Sequence, residues 1–485
     1  MAAPRQTVPP VPSQELSPSS DPTVALPLPQ PEPEDGSVLR RQRLSRWLDV
    51  TLASAVLLLA FLLSSFTIRN SDFWIHLASG RLLAEEHYRF GEDPFAATTT
   101  GIYWTNHSWM YDLILYVLYQ MVGGAGLVAL KALLITVLAG LMLHIRRPDA
   151  GWGLPAACTA LALLTMSPRL QLQPACVSCF FLGLTLFWSA ERSPPRSALL
   201  RFGRLLLLFV LWVNVDSWFL LGPLLVALFW LGERLNGSSR HTPGWLIPAS
   251  LAVCLINPHH VHAFTTLPPV FSPAVWASGL LQDPRFRPLF LSPWQLSDYL
   301  QPTVGLNAAG LAYFALTFLG LASFALGRTG LRDWRLPIWA GFGLLAACQM
   351  QAIPFFAVVA GPITALNLQD WFQRRRETEP LQRDGQAAAA GLFSPLALWS
   401  RAALLLVELA LLILSWPGWL QAAPHEQHRV AWAVDVDPSL QRIAQTLHQW
   451  RREGVLSPSE RVFLSHPDVA HYCAWSCPEQ KGFLD

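Results

Sequence analysis

Asp72, His76, Arg81, Glu85, Glu86, Glu92, Asp93 and His107 all fall in one stretch, Asn70 to Trp109, set between two hydrophobic blocks. A charge at the centre of a bilayer costs roughly 2.5–3.5 kcal/mol or more, so this stretch cannot lie in hydrocarbon. It reads as a loop over residues 68–109 at the water interface, too long to be a mere connector, and so as the candidate site. Asp72 follows the first apolar block by a few residues, which puts its carboxylate near lipid-headgroup depth. That placement suits a general base, or an acid that orients a metal or phosphate. The same residue, ahead of Phe73-Trp74-Ile75, would equally serve as a helix N-cap. Asp72, His76 and Gly80 are four apart and share one face of the helix that follows, while Arg81 and Glu85 have the spacing of a solvated i,i+4 ion pair. Asp93-Pro94-Phe95 is a turn signal whose acid closes the loop or faces a cavity. His107, between Trp104 and Trp109, contacts headgroups or is structural. Asn106-His107-Ser108 also matches a glycosylation sequon.

The elements that must hold these residues are membrane helices. Of 485 residues, 52% are hydrophobic and 14% charged, against about 25% charged in soluble domains. Several apolar runs approach twenty residues, and many of the 21 tryptophans sit beside their ends, as in interfacial belts. The chain is therefore expected to be mainly α, a polytopic bundle over residues 39–421 with roughly ten to thirteen crossings. Met1 to Val38 is rich in Pro, Ser and Glu and is expected to be a disordered tail; it lacks the apolar stretch of a signal peptide. Arg40, Arg41, Arg43 and Arg46 then place the N-terminus in the cytoplasm of a cell with the loop outside. Whether Met110–Met121 crosses or lies in the interface decides which side receives Arg146 and Arg147. A net charge of +2 without a basic, aromatic-interleaved patch gives no reason to expect nucleic acid.

Three polar interruptions break the apolar pattern: Ser167 to Pro174, with Arg169, Gln171 and Gln173; Asn214-Val215-Asp216; and Asn257 to His262, with His259 and His260. They line a binding cavity or are ordinary loops between short spans. Residues 422–485 form a soluble segment of small α/β type, with an amphipathic helix at Pro438–Arg452 and a strand at Arg461–Leu464. It is too small a unit to expect to stand alone, and is either incomplete or docked on the membrane part. Cys473 and Cys477 would form a disulfide if this segment is extracytoplasmic. Cys176 and Cys179 have zinc-like spacing but no second ligand pair, and read as small core residues. No glycine-rich phosphate loop, Ser-His-Asp elbow or HExxH is present. Any chemistry must come from carboxylates and cations at the membrane surface.

The run from Asp72-Phe-Trp-Ile-His76 through Asp93-Pro-Phe95, Trp104-Thr-Asn-His-Ser-Trp109 and Gly123-Gly-Ala-Gly-Leu127 resembles the first-loop signature of a bacterial family of polytopic membrane proteins. That family is similar to the GT-C superfamily of glycosyltransferases, which use polyprenyl-phosphate sugars. The resemblance continues through SPRLQLQP, LWVNVDSWFLLG, INPHH, PWQLSDY and QAIPFFAVVAGP, covering Trp47 to Asp485. It implies that Asp72 is the catalytic acid/base or a metal-orienting carboxylate, and that a donor lipid lies between the first loop and the polar breaks. Gln351 stands where the family shows an Arg before Ile-Pro, which removes an expected phosphate clamp. Asn214-Val-Asp-Ser217 stands where the family shows Asn-x-His-Gly. The tail resembles a longer extracytoplasmic domain.

The expectation is thus a cell (inner) membrane glycosyltransferase that moves a sugar from a polyprenyl-phosphate donor to an extracytoplasmic acceptor. Asp72 would act on the acceptor hydroxyl, Arg169, or His259 and His260, would bind the departing phosphate, and His76, Arg81, Asp93 and His107 would contact substrate. A divalent metal is compatible with these residues but not required by them. The alternative is a non-catalytic protein of the same fold, a transporter of lipid-linked substrate or an assembly scaffold. A cavity with Asp72 at its rim would favour transfer, one reaching both aqueous faces transport, and a filled interior a scaffold.

Overall fold

The computed structural model describes residues 36–482 apart from 100, 149, 192–196, 236, 238–241, 272–290, 296–300, 302–305, 328–332, 379–394, 422–427, 458–459, 461 and 465. The N-terminal stretch expected to be disordered overlaps the start of the first helix and otherwise lies outside the described residues. The apolar blocks are helical: α1 (Gly36–Ser64), α3 (Trp109–His144), α4 (Gly153–Met166), α5 (Pro174–Ala190), α6 (Ala198–Val213), α7 (Leu221–Leu235), α8 (Leu246–Val253), α9 (Ala308–Leu326), α10 (Arg335–Cys348), α11 (Ile353–Thr378) and α12 (Pro395–Ser415). The loop contributes α2 (Asp72–Ala84), and the tail contributes α13 (Pro438–Arg452) and α14 (Pro467–Ser476).

Among the described residues six helices are long and apolar enough to cross a membrane: Leu39–Ser64, Trp109–His144, Ser217–Leu235, Ala308–Leu326, Met350–Arg375 and Leu398–Ser415. Pro174–Ala190 and Arg335–Cys348 are apolar but shorter. The protein is a multi-pass membrane protein. Its axis is α11, whose apolar window is 94% buried, while the corresponding window of α12 is only 11% buried and rides on the outside against α1. Small residues allow that central packing. Gly361 of α11 faces Ala162 and the backbone of Cys158 on α4, the close approach that substitutes for hydrophobic drive between helices in lipid.

Polar contacts assign the helix ends to two poles. At the first pole, Arg401 binds Asp49 at 3.0 Å and Arg147 binds Asp370 through Nε at 2.5 Å and Nη2 at 2.8 Å. The Trp152 amide also donates to Asp49, at 3.3 Å. Arg146 and Arg147 therefore lie at the same end as the start of α1. The open question about Met110–Met121 is answered by a joint inside α3. Gly123 has φ +64° and ψ −174°, a region that glycine enters without penalty. The part before it packs on α2, and only the part after it runs to the first pole.

The second pole holds the first loop. Here the three polar interruptions meet the first loop: Trp109 Nε1 donates to Asn214 Oδ1 at 2.9 Å, and Asn214 Nδ2 to the Ile256 carbonyl at 2.9 Å. A second hydrophobic core joins Phe73, Trp74 and Leu77 of α2 to Tyr111 and Leu115 of α3, and to Leu447, Tyr472 and Cys473 of the tail. The tail also threads beside the chain leaving α1, with the Ile68 amide bonded to the Ala433 carbonyl (3.0 Å) and the Asp435 amide to the Ile68 carbonyl (2.8 Å). The tail is docked on the membrane part. It is not α/β as expected: among the described residues it holds helices and single bridges, and Val462–Leu464 forms no strand. The α13 bounds match the amphipathic pattern, and Asp437 caps the helix by accepting from the Ser439 and Leu440 amides.

The tightest helix contact fixes α2 on α3. A Cβ on Gly80 would land on the Asp112 carbonyl oxygen and 2.6 Å from Tyr116 Cβ, whereas a Cβ on Gly140 would meet only Leu57, at 3.8 Å. Backbone cannot swing aside, so Gly80→Ala should lower thermal stability, by about 1–3 kcal/mol on the scale of overpacking. Gly140→Ala should be neutral or gain up to about 1 kcal/mol of helix propensity. Melting curves of the two variants in detergent check the opposite signs.

Candidate active site

Asp72 is the first residue of α2, one past the N-cap Ser71, so the carboxylate lies in the first turn, where the helix dipole favours negative charge. It does not cap the helix. Oδ1 accepts from Asn70 Nδ2, and Oδ2 accepts from Gln173 Nε2 at 2.5 Å. Asn70 also donates to the Leu172 carbonyl at 3.3 Å, so the loop and the α4–α5 connector are tied together around this acid. Both oxygens thus hold amide N–H donors, which a cation would have to displace. Among the described residues no group of three His, Cys, Asp or Glu donors that includes Asp72 converges on a common point. The arrangement fits a hydrogen-bonded base better than a metal ligand.

His76, one turn on, turns to Asp112 rather than to Asp72. Its Nδ1 lies 2.6 Å from Asp112 Oδ1, and Asn106 Nδ2 donates to Asp112 Oδ2 at 2.9 Å. Asp112 is 1% exposed. Burial opposes charge on His76, but the Asp112 carboxylate, with help from Asp72 and Asp216, outweighs it and raises the imidazole pKa above its usual value. Asp216 is buried with Oδ2 2.5 Å from the Ser178 hydroxyl, which donates to it; burial pushes its carboxyl up to about 6. Three carboxylates, Asp72, Asp112 and Asp216, therefore surround one imidazole. Asp112 escaped the sequence reading because it sits in an apolar block, and only that position hinted at it.

The other expected residues divide. Arg81 does not pair with Glu85. It donates to the Trp475 carbonyl at 3.1 Å and lies over the Trp475 ring at 4.6 Å, pinning the tail to α2. Asp93 closes the loop, Oδ1 accepting from the Phe95 and Ala96 amides (2.8 and 3.0 Å) and Oδ2 from the Thr99 hydroxyl (3.1 Å). His107 is buried with Nε2 donating to the Ala263 carbonyl at 2.8 Å, and burial lowers its pKa. His259 contacts the Tyr103 hydroxyl at 3.2 Å, and burial lowers its pKa to about 4, so at neutral pH it is uncharged and a poor phosphate ligand. His260 is exposed, at φ +49°, and shares no hydrogen bond with Asp72, His76 or Asp112. The Asn106 sequon is occupied by structure, since Asn106 is 8% exposed and bonded to Asp112.

Arg169 lies on the connector that carries Gln173, and its guanidinium has no partner among the described residues. A second unpaired cation was not expected at all. Lys131 of α3 is 3% exposed, its ammonium has no hydrogen-bond partner, and it rests 3.7 Å from the centre of the Phe66 ring. The tail adds His471, whose Nδ1 lies 3.0 Å from the hydroxyl of Ser71, beside Asp72; that hydroxyl also donates to Asp468 at 2.5 Å. A cavity of about 390 Å³ opens at the other pole between Arg146, Arg147, Glu191, Trp334 and Arg335, away from this cluster.

No protein-family model matches the chain, and no curated protein does. Solved structures do. The archaeal oligosaccharyltransferase AglB of Archaeoglobus fulgidus, in complex with an inhibitory peptide and a dolichol-phosphate, superposes with a TM-score of 0.55 at 12% identity. The apo form of the A. fulgidus oligosaccharyltransferase gives 0.57 at 13%, and the form tethered to an acceptor peptide 0.54 at 13%. The fold is GT-C-like. In each case 90% of this chain is covered and 64% of the other, so the chain spans just under two thirds of those proteins' length.

The cluster makes stability pH-dependent with a definite sign. The folded pKa of His76 is raised, so its contribution is complete below about 6.5 and is lost as pH rises through the folded value. The folded pKa of Asp216 is also raised, so its contribution is complete below about 3.8 and is lost as pH rises through about 6. The melting temperature should therefore fall between pH 5 and pH 8. Asp216→Asn should remove the lower part of that slope and His76→Asn the upper part, read from thermal melts across the range.

Proposed function

We propose that this protein is a membrane glycosyltransferase that moves a sugar from a polyprenyl-phosphate donor to an acceptor on the outer face. The observation that carries the reading is a GT-C-like fold whose second pole holds a carboxylate at the head of the first-loop helix together with two cations, Arg169 and Lys131, that no acid pairs among the described residues. The dolichol-phosphate held by AglB supports a lipid-linked phosphate as the donor class.

In this reading the acceptor hydroxyl attacks the anomeric carbon. The bond from that carbon to the phosphate oxygen breaks, its electron pair stays on the phosphate, and the acceptor proton passes to Asp72. Arg169 and Lys131 carry the growing charge on the leaving phosphate, the interaction that supplies most of the barrier reduction in such transfers. Lys131 then fills the role left vacant by Gln351. Asn70 and Gln173 aim the Asp72 carboxylate and must loosen to admit the hydroxyl. Asp216, Asp112 and His76 hold the loop helix and set the local charge.

A second reading, a non-catalytic scaffold of the same fold, draws on two observations: both Asp72 oxygens already hold donors, and the 390 Å³ cavity opens at the other pole rather than at Asp72. The two separate on one experiment. Purified protein incubated with labelled polyprenyl-phosphate sugars should consume donor. Asp72→Asn should cut that turnover by about 10²–10⁴-fold, the usual weight of general base catalysis, with the melting temperature preserved. Full turnover in a folded Asp72→Asn protein, or none in the wild type with any donor, would remove the transferase assignment.

A further inference from the structure

The tail holds a cluster that the transfer chemistry does not use. His448 on α13, and Cys477 and Glu479 just after α14, place one donor atom each within 4.8 Å of one another. In a tetrahedral zinc site, with bonds of about 2.0–2.3 Å, neighbouring ligand atoms sit about 3.4 Å apart, so closure needs about 1 Å of side-chain movement. His448 Nδ1 and Glu479 Oε2 are already 3.4 Å apart. His448 Nδ1 is also buried, with no hydrogen bond of good geometry and the Glu479 carboxylate facing it.

The backbone around these donors is fixed independently of them. Cys477-Pro478-Glu479-Gln480 is a turn closed by the Gln480 amide on the Cys477 carbonyl at 2.9 Å, with Pro478 presetting φ at its second position. Arg451 stands three residues after His448 on the same helix face, and its Nη2 donates to Gln480 Oε1 at 2.7 Å, while Nη1 donates to the Ser457 carbonyl at 2.5 Å. The turn orients the sulfur and the carboxylate, and Arg451 brings His448 to them. Cys477 is fully buried and Glu479 exposed, so a cation here would have a dry thiolate behind it and solvent in front.

We propose that His448, Cys477 and Glu479 form a zinc site with water in the fourth position. One sulfur, one imidazole nitrogen and one carboxylate oxygen match zinc among the common divalent cations; magnesium and calcium require oxygen donors. On binding, the Cys477 thiol proton is released and the sulfur binds as thiolate. The consequence is mechanical. The metal ties α13 to the end of α14, whose Tyr472 and Trp475 pack on Trp74 of the loop helix. The inference is independent of the proposed transferase activity.

The test is metal content of the full chain purified in detergent, stripped with chelator and reloaded with Zn²⁺. About one equivalent should bind to the wild type and raise its melting temperature. Cobalt in its place should show a thiolate-to-metal charge-transfer band. Cys477→Ser should abolish that band, and His448→Gln and Glu479→Gln should each weaken zinc at least about tenfold, as is common when a site loses a supporting group. Glu479 is exposed, so its variant should fold and keep the test valid if Cys477→Ser does not. Zinc in the wild type no higher than in Glu479→Gln would overturn the proposal. So would a Cys473–Cys477 disulfide in native, zinc-free protein; both thiols are free in this structure.

Discussion

The carboxylate of Asp112 has one oxygen on His76 and the other on Asn106, and most of the second pole follows from that pair of bonds. His76 belongs to the helix that opens the loop, Asn106 to the segment that ends it. A buried carboxylate deprived of one partner costs about 3–5 kcal/mol, so the loop is closed by an interaction the fold cannot cheaply give up. The carbonyl of the same residue is the surface on which Gly80 rests. One residue on α3 thus sets both the angle and the height of α2, and with them the position of Asp72. The Gly123 joint matters for the same reason: it lets the first part of α3 lie along α2 while the rest turns into the membrane.

The two poles handle charge differently. At the first, acids and bases are matched in ion pairs: Asp370 is shared by Arg147 and Arg335, and Asp49 is held by Arg401. Such a network holds helix ends together and leaves little charge to spend on a ligand, even with a cavity beside it. At the second, acids converge on one histidine while Arg169 and Lys131 stay unpaired. An ammonium buried without an acceptor is costly unless something anionic completes it. That imbalance, rather than any single carboxylate, is what sets the second pole apart.

The sequence disclosed the fold and the pole, and less of the site. Hydropathy and turn residues located the helices, because membrane burial leaves a composition signal in every window. The three polar interruptions were visible as breaks, and they do gather around the first loop. Partner identity was not visible. Arg81 and Glu85 have ion-pair spacing, but the guanidinium found the carbonyl of Trp475, nearly four hundred residues away along the chain. Asp93 and His107 proved to be fasteners of the loop, a role their residue types could not distinguish from binding. The tail strand failed for a related reason: the tail's single bridges fall at Val430, Val434 and Gly482, none at Val462–Leu464, so that local β pattern had no sheet to join among the described residues.

The departures from the family pattern acquire a meaning from this geometry. Asp216 and Ser217 stand where the resembled pattern has His and Gly, and Asp216 adds one more carboxylate near His76, a smaller influence on that imidazole than Asp112. Replacing Arg by Gln351 removes a cation from the α10–α11 connection, while Lys131 supplies one from α3, with no acceptor of its own. Each change alone would unbalance the pole, by one negative charge too many or one positive charge too few. Lys131 leaves this pole a cation that no acid among the described residues pairs. A bare ammonium buried next to Phe66, where an apolar side chain would pack at lower cost, is the feature of this pole that packing alone explains least.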